Sequence, residues 1–129
     1  HLAKAVCISL IEQGKAARFW LVPRLLDWLR QGFDEKDFDR RFNLVCDFPY
    51  LALDDLGMEA GTPWAGERLD MLIDHRWSQD LPMVLTATPQ HLSRGTISER
   101  IASRIKDVHK ALVLNIEAED FRREKLRSS

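Results

Sequence analysis

The stretch Phe48-Pro-Tyr-Leu-Ala-Leu-Asp-Asp-Leu-Gly57 decides the fold of this chain. Its centre, Tyr50–Asp54, is a short apolar run without polar alternation, which is the pattern of a strand covered on both faces. The run ends in two adjacent carboxylates, Asp54 and Asp55, and Gly57 follows almost at once. One acid is enough to end a strand. Two neighbouring negative charges repel, so the second one needs a reason.

Composition narrows the setting. With 129 residues, 45% hydrophobic and 30% charged, the chain can bury the core of one globular domain. Nineteen Lys and Arg against 20 Asp and Glu exclude a globally basic nucleic-acid binder, so DNA contact would require a local patch. No apolar run is long enough for a membrane helix and no signal peptide opens the sequence, so the expected compartment is the cytoplasm. Cys7 and Cys46 read as buried thiols. His1, His75, His91 and His109 lack ligand spacing, so no metal bound by histidine or cysteine is expected.

Around the central strand, helices and apolar runs alternate. Residues 1–13 read as a helix closed by Gly14. ARFWLV (17–22) reads as a strand stopped by Pro23, and RLLDWLRQ as a helix ending at Gly32. Asp34 is placed to cap a helix over 35–46 that aligns Phe38, Phe42, Val45 and Cys46. Thr62 and Pro63 form an N-cap and first helical position, followed by Leu69, Leu72, Ile73 and Trp77 on one side. MVLTAT (83–88) is a further strand. A helix over 97–107 carries Ile97, Ile101 and Ile105, and ALVLNI (111–116) is expected as the last strand. Apolar strands separated by helices predict an α/β fold with a parallel sheet covered on both faces. Ligands of such sheets bind beyond the carboxyl ends of the strands, where Asp54, Asp55 and Thr88 fall.

An acid at that edge can hold Mg²⁺ through its water shell, and a second acid beside it can orient a water for attack on a phosphate. Solvated turn acids are the plainer alternative. Trp20, Trp28 and Trp77 read as core rather than base-stacking platforms. Arg40, Arg41, Arg94 and Lys106 are scattered charges that either face DNA or merely solvate the surface.

ALDDLGME resembles a Walker B segment, and HLAKAV resembles the helix that follows a Walker A loop. LPMVLTATP resembles a sensor 1 strand, ISERIASRI an arginine-finger helix, and LNIEAEDFRR a final strand with its arginine. Taken in order with GKAARFWLVPRLLDWLR and WAGERLDMLIDHRW, these pieces resemble the AAA+ ATPases of the DnaC/DnaI-type helicase-loader and IstB-type branches over nearly the whole chain. The resemblance implies a three-layer P-loop NTPase sheet and binding of ATP with Mg²⁺. It assigns Asp54 to the metal side, Asp55 to the position of a catalytic acid, and Thr88 to sensor 1, where Asn is common. Arg104 first and Arg100 second stand where an arginine finger reaches the ATP of a neighbouring subunit, and Arg122 stands where a sensor 2 arginine contacts nucleotide. The alternatives are a capping hydroxyl for Thr88, an Arg104–Asp107 pair, and an ordinary basic tail for Arg122.

No GxxxxGKS/T occurs in the 129 residues, and no capping residue precedes the first helix. The expectation is therefore a fragment that starts just after a Walker A loop, lacks the P-loop strand and binds ATP poorly by itself. In the intact protein the resemblance implies a homo-oligomer, a replicative helicase partner and single-stranded DNA. An IstB-type ATPase serving a transposase and a non-hydrolysing DNA-binding scaffold with a degenerate ATPase fold are the other two readings.

Overall fold

A computed structural model describes residues 2–57, 62–88, 90, 98–107 and 109–114. The elements run α1 (Leu2–Glu12), β1 (Ala17–Leu21), α2 (Val22–Asp34), α3 (Phe38–Asp47), β2 (Tyr50–Asp54), α4 (Pro63–Ser78), β3 (Met83–Leu85) and α5 (Glu99–Ile105). The three strands form one parallel sheet in the order β1-β2-β3, with Trp20 opposite Leu53 and Leu53 opposite Leu85. This is the expected α/β parallel architecture.

Strand parity explains the layers. Leu51 and Leu53 point into the larger core with Val22, Leu25, Leu26 and Leu29 of α2, Val45 of α3, Leu69, Leu72 and Ile73 of α4, and Ile101 of α5. Ala52 points to the opposite face, where its small side chain admits Ala3 and Cys7 of α1 beside Ala17, Phe19 and Val84. α1 ends as read: Gly14 has φ 81°, its N–H donates to Ile11 O at 2.9 Å, and Lys15 N–H donates to Leu10 O at 3.0 Å. Those two bonds form a Schellman cap in which glycine carries the left-handed residue without strain. Thr62 caps α4 as expected, its hydroxyl accepting from Ala65 N–H at 3.4 Å.

β1 ends ahead of Pro23, as read, and the proline sits in the first turn of α2, where a missing N–H costs nothing. Three local expectations are corrected. Gly32 does not end that helix, which continues to Asp34. Its lack of a side chain serves packing, since a Cβ there would lie 2.8 Å from the Phe38 Cα. Asp34 is no cap either. α3 begins after Asp37, whose carboxylate binds Arg40 twice at 2.7 Å and Arg41 at 3.2 Å instead of capping, and hydrogen bonding to Arg40 chiefly holds its pKa down to about 2. Finally, residues 111–114 are not a strand: Leu112, Val113 and Leu114 are exposed and pair with no strand among the described residues. Apolar composition does not make a strand without a neighbouring ladder to join.

Two arginines are structural. Arg41 is buried, donates to Trp28 O at 2.7 Å, pairs with Glu35 and Asp37, and lies over the Trp28 ring, so it is not available to a DNA-facing surface. Arg76, in the last turn of α4, is 0% exposed. Its Nη1 donates to the carbonyls of Val45 (3.4 Å), Cys46 (3.1 Å) and Phe48 (2.5 Å), and its Nη2 to those of Pro49 (3.4 Å) and Pro82 (2.6 Å). These include carbonyls that the end of α3 leaves without helical partners. Burial lowers the Arg76 pKa, partly offset by Cys46 and Asp47.

Replacing Arg76 with Met keeps much of the volume and strands those carbonyls in the interior. Arg76→Met should lower the unfolding free energy by on the order of 3 kcal/mol in urea titration, and an unchanged midpoint would show that the network is dispensable. Burial also pushes the Cys46 thiol from 9.0 to about 11, with Asp47 adding to the rise and Arg76 opposing it. The folded state therefore keeps this proton after the unfolded chain has released it. The contribution is complete below pH 9 and is lost as the pH rises through 11, a loss of about 2 kcal/mol that Cys46→Val should lack in denaturation series across that window.

Candidate functional site

β2 delivers its two acids to the carboxyl edge of the sheet in different conformations. Asp54 is the last strand residue and is half-buried. Asp55 turns out of the strand with φ 63°, a left-handed conformation that Asp tolerates better than most residues, and it is exposed. Gly57, also left-handed at φ 96°, completes the turn.

The turn is held by Thr86, immediately after β3. Thr86 N–H donates to Leu53 O at 3.0 Å, continuing the ladder. The ladder then shifts by one residue. Asp55 N–H donates to the Thr86 hydroxyl at 3.1 Å, while Leu56 N–H takes the Thr86 carbonyl at 2.8 Å. The same hydroxyl donates to Asp54 Oδ1. One threonine thus fixes the Asp54 carboxylate through a side-chain bond and the Asp55 backbone through an amide bond. The second Asp54 oxygen and the whole Asp55 carboxylate carry no hydrogen bond or ion pair among the described residues.

Thr86 was not foreseen, although parity contains the signal. Leu53 faces Leu85 in register, so the next residue of each strand, Asp54 and Thr86, falls on the same side. Thr88 is exposed and lies two residues further along, past the end of β3.

The expected arginines lie on α5. Arg100 Nη1 is 3.3 Å from Asp74 Oδ2, and Arg104 Nε is 3.4 Å from Asp74 Oδ1, both across the α4–α5 contact. The partner is therefore Asp74 and not Asp107, whose carboxylate accepts from His109 N–H at 3.0 Å. No hydrogen bond or ion pair among the described residues links either arginine to Asp54 or Asp55. Ser98 precedes α5, accepts from Ile101 N–H at 3.2 Å and donates to Asp70 at 2.5 Å, which docks the start of α5 on α4. Arg122 lies outside the described residues.

Hard carboxylate oxygens at a sheet edge suit a hydrated Mg²⁺. No cluster of three or more potential metal-binding acids, histidines or cysteines occurs among the described residues, so the acid pair would take such an ion together with a ligand's own oxygens. Neither Cys7 nor Cys46 contributes, since both are buried and burial raises both thiols.

No family model matches the chain. The chain is similar to the replicative helicase loader DnaI of Bacillus subtilis (strain 168), 29% identical over 100 residues that cover 74% of this chain and 32% of that protein. Its structure is similar to AMPPCP-bound DnaA from Aquifex aeolicus, with a TM-score of 0.79, and to the replication initiator DnaA bound to AMPPCP and single-stranded DNA, with a TM-score of 0.78. Each of these matches has 16% identity and covers 99% of this chain and 41% of the other. The chain thus spans less than half the length of these proteins. No helix among the described residues is long and apolar enough to cross a membrane. The chain thus shares the α/β fold of these DnaA structures and is similar in sequence to the helicase loader DnaI over 74% of its length.

Proposed function

We propose that this chain is the Walker B-to-sensor part of a longer cytoplasmic AAA+ ATPase that acts in DNA replication as a helicase loader. The observation that carries this reading is the pair Asp54 and Asp55 at the carboxyl edge of β2, both tied to Thr86 at the end of β3. The likeness to DnaI supports a replicative helicase as partner over the transposase alternative. The DnaA structures bound to AMPPCP and to single-stranded DNA support ATP and a DNA strand as ligands.

Topology adds support for a phosphate site at this edge. Two successive crossovers, β1 to β2 and β2 to β3, carry α2, α3 and α4 on one face of the sheet, while α1 lies on the other. With right-handed crossovers, a parallel strand feeding α1 from the opposite face would lie beyond β3. The turn entering α1 would then border the Asp54–Thr86 edge, where a helix start can take a phosphate.

In this mechanism Mg²⁺, when bound, supplies charge neutralisation on the phosphates. Asp54 would hold the hydrated ion through the carboxylate oxygen that Thr86 leaves open. Asp55 orients the attacking water and accepts its proton, and its divergence from Asp54 separates the two tasks. Thr88 contacts the γ-phosphate or the water through its hydroxyl. Arg104, backed by Arg100, stabilises the charge on the phosphoryl group held by the neighbouring subunit of a homo-oligomer, and Arg122 contacts nucleotide within its own subunit.

Asp55→Asn keeps a side chain that tolerates the left-handed turn, so it isolates the carboxylate. In the full-length protein containing this chain it should slow ATP hydrolysis by roughly 10²-fold or more while nucleotide affinity stays unchanged. Normal turnover would remove Asp55 from the mechanism. Thr86→Val deletes both side-chain bonds at the acid pair and should slow hydrolysis roughly tenfold, with Thr86→Ser restoring most of it in steady-state assays. Equal rates for the Val and Ser variants would show that the hydroxyl is not what matters.

A further inference from the structure

Arg100 and Arg104 lie one helical turn apart and converge on one carboxylate, Asp74, whose side chain is 27% exposed. Two guanidiniums against one acid leave a surplus positive charge, and an incoming anion is its natural complement. The two arginines are held differently. Arg100, 71% exposed, spends a terminal amino group on Asp74. Arg104, 45% exposed, spends only its Nε, and its guanidinium lies over the Trp77 ring at 5.6 Å. The terminal amino groups of Arg104 have no acceptor among the described residues. Those two groups form the fork that grips a phosphate.

We propose that Asp74 is a positioning residue for Arg104. Asp74 fixes the guanidinium through Nε, Trp77 supports its face, and the terminal amino groups are left to donate to a phosphate on a neighbouring subunit. The proposal rests on the reading of Arg104 as the residue that acts across the subunit interface, and it names the side chains that present it. Exposed ion pairs contribute little to stability, so Asp74 is not a lock on the fold. Its effect is orientation, which governs rate more than binding. Lys110 also approaches this ring, at 5.2 Å, and is itself tied to Asp80 at 2.7 Å and to the Trp77 carbonyl at 3.2 Å, which helps to hold Trp77 in place.

The test uses the full-length protein containing this chain. Asp74→Ala should lower kcat for ATP roughly tenfold with KM within about twofold, and Asp74→Glu should recover part of the rate. Asp74→Asn, which keeps the shape, carries the same expectation should the alanine variant not fold. Mixing Asp74→Ala with Asp55→Asn subunits should raise turnover above that of either alone, because an intact nucleotide site then meets a correctly presented Arg104. Arg104→Ala is run beside it. A slow Arg104→Ala with a normal Asp74→Ala overturns the proposal and leaves the trans-acting arginine standing. A normal Arg104→Ala overturns that reading and the proposal with it. A slow Asp74→Ala that mixing does not rescue also overturns the proposal, because Asp74 then acts within its own subunit.

Discussion

The buried guanidinium of Arg76 is the contact on which the rest of the sheet depends. It reaches α3 through Val45 O and Cys46 O, the entry to β2 through Phe48 O and Pro49 O, and the entry to β3 through Pro82 O. Pro82 O also accepts from Leu51 N–H at 3.3 Å, so the guanidinium and the ladder share an acceptor. A cation suits this place, because the carbonyl end of a helix carries partial negative charge. Its cost is desolvation without a directly bonded carboxylate, and the multiple carbonyl bonds offset it. α4 is thereby pinned to the amino ends of β2 and β3, and the relative height of those two strands is set there.

That height matters at the other end. The bond from Thr86 to Asp54 requires Leu53 and Leu85 to stay opposite one another. A slip of one residue would turn Thr86 to the other face, since side chains alternate along a strand. The left-handed Asp55 compounds this sensitivity, because its amide is satisfied by a hydroxyl rather than by the carbonyl that a regular ladder would offer. A buried network at the amino ends and a single threonine at the carboxyl ends therefore act on the same register. The site is precise because it lies on rigid strands whose far ends are clamped.

Elements whose cause is local were legible in the sequence. β2, the Gly14 cap and the Thr62–Pro63 helix start each rest on residues within one turn of one another, and each formed as read. Features with a distant cause were not. Gly32 reads as a helix end because glycine is a poor helix former, yet its role is the close approach of Phe38. Arg41 reads as a scattered surface charge, and Arg76 carries no signal of burial, because nothing nearby in the chain reveals the carbonyls they bond. Thr86 carries no signal of its own in the sequence because only the register of β3 against β2 shows which hydroxyl faces Asp54. The acid pair itself was legible, and the side chain that organises it was not.

This division also accounts for a structure that matches DnaA at a TM-score of 0.79 with only 16% identity. The fold asks for apolar strands of the right parity, right-handed crossovers and a small residue such as Ala52 where α1 comes close, and many sequences satisfy those terms. Function asks for far fewer residues, at fixed places on the carboxyl edge, and a shared fold says nothing about whether they are present. The weight of the functional reading therefore falls on Asp54, Asp55 and Thr86. Leu53 and Leu85 would serve any protein of this architecture, whereas the half-buried Asp54 carboxylate, with one oxygen bound and one left open, is the feature on which the proposed ligand role rests.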